Sequence, residues 1–250
     1  MLRIRRFAVF SLFVACASAA FSFWVLGQPR AEARLAFSPP PRAEAALETA
    51  PAGITTAVNV TRSPDAEWLR GAAAQTGIPA RALRAYVAAA VTVDDSRPQC
   101  GIGWNTLAAI GFVESAHGTH GGGSLSAAGQ ASRPIVGPSL NGAGFAAIPD
   151  TDSGALDGDA SWDHAVGPMQ FIPSTWRLAG VDGNGDGTAD PFNIDDAALS
   201  AAIYLCGHGR DLATARGWTD AIYAYNQSDA YIRQVRSQAT AYAAKTGTAG

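Results

Sequence analysis

The chain has 250 residues, of which 48% are hydrophobic and 16% are charged. This length and composition suit one globular domain together with a leader and a linker. The formal net charge of -3 at pH 7 argues against nucleic acid as the main partner, because phosphate binding requires a basic surface.

The first 27 residues predict an export segment. Arginines at positions 3, 5 and 6 precede an apolar run that continues to Leu26, which is the pattern of a secretory leader. An Ala-Ser-Ala sequence ending at Ala19 offers a cleavage site, but the apolar run is long enough to span a bilayer. Residues 1–27 are therefore either a cleaved signal peptide or a membrane anchor. In both cases we expect the rest of the chain outside the cytoplasm, because arginines stay on the cytoplasmic side.

A linker and a helical domain follow. Residues 28–62 are rich in Ala, Pro, Arg and Glu, which predicts a stiff spacer. The folded domain is predicted over residues 63–245. Its first helix is expected after Ser63-Pro64-Asp65, because Ser is a good N-cap and Pro suits the first turn. A second helical pattern begins at Ile78. The remaining helical patterns cover residues 104–114, 174–179, 194–206, 211–216, 219–225 and 229–244.

Residues 118–164 interrupt the helical pattern with Gly, Ser, Ala and Asp. A stretch of this length without a period is unusual inside a compact domain, so it is predicted to be functional or to carry short strands. The chain is thus predicted to be a single, mainly α-helical globular domain with one long Gly-rich segment.

The cysteines point to an oxidising compartment. Cys16 lies in the leader, which leaves Cys100 and Cys206 for the folded part. Two cysteines in the folded part of an exported chain favour one disulfide between them. The alternative is a pair of buried thiols.

The segment GFVESAHGTHGG supplies the first candidate for chemistry. Glu114 ends an apolar helix and has no cationic neighbour in the residues before it. Burial of a carboxylate disfavours its charged form and raises its pKa, as a general acid near neutral pH requires. The alternative is a solvent-facing glutamate at a helix end. His117 and His120 are spaced like a zinc pair, but no third ligand stands at metal spacing.

Two later segments combine amides with aromatic side chains. The first, AVGPMQFIPSTW, places Gln170 between Met169 and Phe171. The second, AIYAYNQS, ends a helical pattern with Tyr225 and Asn226. Such residues suit a sugar ring, which presents hydroxyls on its edge and C–H groups on its face. The alternatives are a simple turn for the first segment and a core-packed aromatic stripe for the second.

The segment VDGNGDGTADPFNIDDAA resembles the start of a calcium-binding loop. Asp182, Asn184 and Asp186 alternate as the first ligands of such a loop do. The twelfth position is Asn rather than a bidentate Glu, so the standard loop is not completed. Asp195 and Asp196 follow and could close a longer loop. The alternative is an acidic, solvated turn.

The motifs VES-x-x-G, AVGPMQFIPSTW, DGNGDGTADPFNIDDAALSAAIYLC and AYNQS occur in this order. Together they resemble the soluble or membrane-bound lytic murein transglycosylases of the MltB type, which belong to the lysozyme-like α+β superfamily. The resemblance spans about residues 63–245 and is strongest from Trp104 to Ser228. It implies a mainly α, lysozyme-like catalytic domain that acts on the glycan strands of peptidoglycan.

The resemblance also implies roles for individual residues. Glu114 is expected to be the single catalytic acid and base, and Ser115 is expected to support it by hydrogen bonding. The residues expected to line the cleft or to sit beside the acid are Met169, Gln170, Phe171, Tyr225 and Asn226.

In this family the calcium loop is longer than the usual one. The residues that match the longer pattern are Asp182, Asn184, Asp186, the carbonyl of Thr188, and Asp196. We therefore expect a structural Ca²⁺ and no organic cofactor. The chain lacks much of the extra sequence of larger relatives and has a candidate disulfide, which suggests a compact version of the family.

The implied reaction needs one carboxylate. A retaining glycosidase normally uses two, whereas only Glu114 has a motif role here. The resemblance implies that Glu114 protonates the glycosidic oxygen after N-acetylmuramic acid and then activates the muramyl 6-hydroxyl, giving a 1,6-anhydro product. The alternatives are a lysozyme-like hydrolase, a non-catalytic calcium-dependent wall-binding module, and a partner-binding protein of the division machinery. We expect a monomer in the extracytoplasmic cell envelope that does not bind nucleic acid.

Overall fold

The computed structural model describes residues 36–48, 63–143 and 146–247. The predicted export segment 1–27 lies outside the described residues. Within them, no helix is both long and apolar enough to cross a membrane. The described α-helices are α1 (Ala66–Thr76), α2 (Ala80–Ser96), α3 (Trp104–Ser115), α4 (Pro173–Ala179), α5 (Ile194–Leu205), α6 (Ala215–Tyr225) and α7 (Asp229–Thr246). Strand β1 (Val136–Ser139) pairs antiparallel with β2 (His164–Val166).

The predicted class of fold is confirmed: the described chain is mainly helical, and its two strands lie within the Gly-rich stretch and at its C-terminal end. Two helix boundaries differ from the prediction. The N-cap of α1 is Asp65 rather than Ser63, because its carboxylate accepts the N–H groups of Glu67 and Trp68, each at 2.9 Å. The predicted helices 211–216 and 219–225 are replaced by the single helix α6, which starts after Thr214 because that side chain caps it.

Helix α3 is the centre of the fold. Leu107, Ala108, Ala109 and Ile110 are fully buried, and the helix packs mainly against α2 and α7. Full burial of a side chain such as Leu or Ile is worth about 1.5–3 kcal/mol. The segment that carries Glu114 is therefore held by packing on several sides.

Residues 36–48 belong to the predicted linker, but they pack on the helical body. Ala43 is buried, and its N–H donates to Asn105 Oδ1 at 3.2 Å. Asn105 Nδ2 in turn donates to the carbonyl of Pro41 at 2.9 Å. Trp104 Nε1 donates to the carbonyl of Glu44 at 3.4 Å. The packed body thus extends N-terminal to residue 63.

A disulfide joins Cys100 to Cys206, as predicted. Cys100 ends a short 3-10 helix after α2, and Cys206 is the C-cap of α5. Both cysteines are buried. The bridge therefore ties together two helices that flank α3.

Aspartates organise the Gly-rich stretch. Asp150 accepts backbone N–H groups from residues 152, 153 and 154. Asp163, fully buried, accepts the N–H of Thr151 at 2.9 Å and its hydroxyl at 2.8 Å. A short side chain that accepts nearby N–H groups stabilises a turn. These bonds order the part of the chain between β1 and β2 without regular structure.

Candidate active site

A cleft with a volume of about 560 Å³ opens beside the C-terminal end of α3. Its described walls come from α3, from the β1–β2 hairpin, from the turn before α4, and from α5 and α6. The residues predicted for the site that line it are Glu114, Gln170, Phe171, Tyr225 and Asn226. Among the described residues that line this cleft, Glu114 is the only acidic one.

Glu114 sits half-buried at the cleft wall. Burial raises the pKa of its carboxyl to about 7, and a hydrogen bond from Tyr231 opposes that rise. Tyr231 Oη donates to Glu114 Oε1 at 2.5 Å. No ion pair joins Glu114 to a described arginine or lysine. The carboxyl can therefore hold a proton near neutral pH, as a general acid must.

Ser115 follows Glu114 and hydrogen-bonds backbone groups of the neighbouring turns, which differs from the expected bond to Glu114. Ser115 Oγ donates to the carbonyl of Pro168 at 2.6 Å and accepts the N–H of Gly118 at 2.7 Å. These partners use the hydroxyl, so it does not bond the carboxylate of Glu114 directly. The chain reverses here because Ala116, His117 and Gly118 all have positive φ, at 50°, 63° and 81°. Ser115 thus ties this reversal to the turn that carries Gln170.

The turn at residues 167–170 places Gln170 in the cleft and Met169 behind it. Gly167 has φ 77°, and a Cβ there would overlap the carbonyl of Pro191, so this position requires glycine. Gln170 also has a positive φ, at 50°, and its Nε2 donates to the carbonyl of Gly167 at 3.0 Å. Met169 is fully buried and does not line the cleft, which differs from the role that the resemblance implied.

Tyr225 and Asn226 end α6 at the opposite wall. Tyr225 Oη donates to the carbonyl of Met169 at 2.6 Å, so this hydroxyl fixes the turn rather than the carboxylate. Its ring lies edge-on to Phe171 at 5.9 Å and to Tyr204 at 6.0 Å. Burial and the charge of Glu114 raise the pKa of Tyr225 well above its usual value. Asn226 is exposed at the cleft.

Sequence reasoning missed three parts of this site. Tyr231 comes from the first turn of α7 and bonds Glu114 directly. Tyr204 of α5 and Ile148 of the hairpin line the cleft. The Ser228 cap could have placed Tyr231 near a helix start, because Ser228 Oγ accepts its N–H. No sequence signal shows that this helix start faces α3.

The predicted calcium loop carries the oxygen ligands that Ca²⁺ prefers. Asp196 is buried, and its Oδ1 accepts the N–H groups of Gly183 and Asn184. Burial raises the pKa of Asp196, and the charge of Asp182 adds to that rise. Asp196 Oδ2 accepts the N–H of Asp190, and the carboxylates of Asp182 and Asp186 also accept backbone N–H groups of the loop. The residue types of the loop are those that bind a hard cation, and their oxygens here accept backbone N–H groups.

A second acidic group lies outside that loop. Among the described residues, Asp150, Asp152 and Asp163 bring one carboxylate oxygen each to within 4.8 Å of one another. The carboxylates of the 182–196 loop do not form such a set of three in the described chain. No sequence pattern distinguishes these three aspartates, and their observed role is to accept backbone N–H groups.

The described residues form a mainly helical domain with one half-buried acid, Glu114, in the wall of its cleft. Comparison with known proteins finds a similar family in part of this domain. Residues 145–220 match the family model described as a transglycosylase SLT domain. The match covers less than half of the chain, and Glu114 lies before the matched residues.

Two solved structures are similar to the chain. The first is SltB3 from Pseudomonas aeruginosa in complex with NAG-anhNAM-pentapeptide, with a TM-score of 0.43 and 18% identity over 73% of this chain and 65% of that chain. The second is the Escherichia coli lytic transglycosylase Slt35 in complex with bulgecin A, with a TM-score of 0.37 and 16% identity over 71% of this chain and 78% of that chain. The chain thus spans about 65% of the length of the SltB3 chain. No curated protein sequence matches it.

Proposed function

We propose that the domain is a peptidoglycan lytic transglycosylase that cleaves the β-1,4 bond between N-acetylmuramic acid and N-acetylglucosamine. The observation that carries this proposal is the setting of Glu114. Its carboxyl faces the cleft, has a pKa of about 7, and accepts a hydrogen bond from Tyr231. The transglycosylase SLT domain match over the following part of the cleft supports the same activity.

In the first step, neutral Glu114 donates its proton to the glycosidic oxygen, and the bond from that oxygen to the muramyl C1 breaks. The acetamido group of the substrate stabilises the positive charge at C1, as in substrate-assisted glycosidases. The hydroxyl of Tyr231 is already placed to stabilise the carboxylate that forms. The departing sugar leaves with the donated proton.

In the second step, the Glu114 carboxylate takes the proton of the muramyl 6-hydroxyl as its oxygen attacks C1. This closes the 1,6-anhydro ring and restores neutral Glu114, so the cycle needs neither a second carboxylate nor water. A nucleophile attached to the same sugar has a high effective molarity. A pKa near 7 suits a group that must give and then take a proton.

The cleft walls suit an amino sugar. Gln170 and Asn226 present amides that can bond an acetamido group, and Tyr225 presents apolar ring surface that the buried ring of Phe171 supports. The amide nitrogen of Gln170 is held by the Gly167 carbonyl. Its amide oxygen is therefore the group directed to a partner such as a sugar hydroxyl or the acetamido N–H.

The Glu114→Gln variant tests catalysis against the alternative of a non-catalytic wall-binding module. Gln keeps the size and the acceptor for Tyr231 but cannot donate and retake the proton. We expect release of soluble fragments from purified peptidoglycan to fall at least about 100-fold, as for loss of a general acid. Sedimentation with insoluble peptidoglycan should be retained. Full lytic activity in this variant would refute the catalytic assignment.

We also propose that the protein works in the extracytoplasmic cell envelope, either released or anchored through residues 1–27. The disulfide between Cys100 and Cys206 supports an oxidising compartment.

We further propose that Asp182, Asn184, Asp186, Thr188 and Asp196 hold a structural Ca²⁺. The ion would supply charge neutralisation for the loop that precedes α5.

A further inference from the structure

Behind the cleft, a buried histidine connects the end of α3 to two other helices. His117 is 4% exposed. Its Nδ1 lies 3.2 Å from Tyr86 Oη on α2, and its Nε2 lies 2.9 Å from Tyr242 Oη on α7. Both hydroxyls are buried as well. A buried polar ring is costly unless both nitrogens are bonded, and here both are.

His117 is joined rigidly to the acid. It follows Glu114 by three residues, and its own N–H donates to the carbonyl of Gly111 at 2.8 Å. Tyr86 Oη also reaches the same helical turn, because a Cβ at Gly111 would overlap this hydroxyl. His117 and Tyr86, which bond each other, thus both contact the last turns of α3, which carry Glu114.

Helix α7 bonds the end of α3 at two points. Tyr231 donates to Glu114, and Tyr242 bonds His117. The two tyrosines are separated by about three helical turns, so they lie on the same face of α7. The contact of Tyr242 with His117 and the contact of Tyr231 with Glu114 are therefore made by the same face of α7.

We propose that His117 is a positioning residue for the acid: through Tyr242 and Tyr86 it holds α7 against the end of α3, so that Tyr231 stays within hydrogen-bonding distance of Glu114. This inference rests on the proposed function, since it gives Glu114 the role of the acid. His117 itself does not line the cleft. Packing alone would be served by an aromatic or aliphatic side chain without the two hydrogen bonds.

The pKa of Glu114 gives a direct readout of this arrangement. The titratable groups that face its carboxyl are Tyr231 from α7 and Tyr225 from α6. Burial raises the Glu114 pKa, and the bond from Tyr231 lowers it. If α7 moves away, the lowering contribution weakens. While the carboxyl stays buried, the pKa of Glu114 then rises further. A fall in this pKa in the variants would show that burial is lost instead and would overturn the positioning role.

The test is a carbon-13 NMR titration of protein labelled at the glutamate carboxyl, which needs no substrate. The chain has few glutamates to resolve: Glu32, Glu44, Glu48, Glu67 and Glu114. We expect His117→Phe to raise the pKa of Glu114 by about half a unit or more. Tyr242→Phe, which removes only a hydroxyl, should raise it in the same direction and serves if His117→Phe does not fold. The control His120→Phe changes an exposed histidine of the same loop and should leave the Glu114 titration unchanged.

A double-mutant cycle separates positioning from general loosening of the fold. If His117 acts through Tyr231, His117→Phe should add no further rise in a Tyr231→Phe background. A full additional rise in that background would overturn the proposal. So would an unchanged Glu114 pKa in both His117→Phe and Tyr242→Phe.

Peptidoglycan digestion then distinguishes the two proposals. We expect His117→Phe to lower kcat about tenfold with little change in KM, because the positioning acts on the acid and not on sugar binding. If the wild type cleaves peptidoglycan and the Glu114 pKa is the same in His117→Phe as in the wild type, only the positioning proposal fails. If the pKa responds to His117 and the wild type cleaves nothing, only the proposed function fails.

Discussion

Replacing Glu114 by Gln should stabilise the protein, and the gain should depend on pH. Folding raises the carboxyl pKa from 4.5 to about 7. Below about pH 4 both the folded and the unfolded states hold the proton, so the carboxyl costs no stability there. Above pH 7 both states have lost it, and the folded state carries a buried charge. A pKa difference of one unit corresponds to about 1.4 kcal/mol. The ionised carboxyl therefore lowers the free energy of unfolding at pH 8 by about 2–3 kcal/mol, a value below the full product because water in the cleft screens the charge.

Urea unfolding at pH 4 and pH 8 measures this difference. The Glu114→Gln variant should match the wild type at pH 4 and be about 2–3 kcal/mol more stable at pH 8. The lowered pKa of His117, about 4 because of burial, acts in both proteins and cancels in the comparison. The control Glu67→Gln removes a carboxylate at the exposed start of α1. A pH-independent difference for Glu114→Gln, or an equal pH-dependent gain in Glu67→Gln, would contradict the burial of this charge.

Three other variants test the parts that surround the acid. Ser115→Ala leaves the Pro168 carbonyl and the Gly118 N–H without their partner, so thermal unfolding should show a loss of about 1–3 kcal/mol and lytic activity should fall. Cys206→Ser opens a bridge between cysteines 106 residues apart and should lower the free energy of unfolding by up to about 4–5 kcal/mol in the chain-entropy model; a stability equal to that of the oxidised wild type would contradict a structural role. Added Ca²⁺ should raise the melting temperature of the wild type and not that of Asp186→Ala, and the absence of any shift in the wild type would refute the calcium site.

Local patterns predicted most of the helices. Before Glu114 they left two interpretations open, a buried carboxyl with a raised pKa and a solvent-facing glutamate at a helix end, and only the four motifs taken together favoured the first. The two remaining cysteines predicted their own pairing, because an oxidising compartment leaves few alternatives. The positions of the helix caps were predicted only to within one or two residues. Ser63 and Asp65 are both good N-caps, and the geometry of the turn decides between them.

The partners of the acid depend on tertiary contacts that no local pattern contains. Tyr231 appears in the sequence as an ordinary residue of an amphipathic helix, and only the packing of α7 against α3 brings it to Glu114. Met169 and Gln170 are neighbours in a cleft motif, but the positive φ of Gln170 turns one side chain into the cleft and the other into the core. A glycine inside a helix lowers the stability of that helix by about 1 kcal/mol. Position 111 requires glycine because the hydroxyl of Tyr86 approaches the helix closely there.

The segment 36–48 shows a different limit of sequence reasoning. Its prolines and charged residues are typical of a linker, yet its backbone bonds the buried side chain of Asn105. These bonds use backbone groups, which every sequence carries, so composition gives no sign of them. The turns at Asp150 and Asp163 have the same origin. The sequence shows the carboxylates that accept these hydrogen bonds, but it does not show which backbone N–H groups donate them.

The most direct test of the central claim is digestion of purified peptidoglycan in heavy-oxygen water, with the products read by mass spectrometry. We expect anhydromuramyl ends without heavy oxygen from the wild type, and no products from Glu114→Gln. Reducing muramyl ends that carry heavy oxygen would show that water is the nucleophile and would contradict the claim that Glu114 works with the substrate's own 6-hydroxyl.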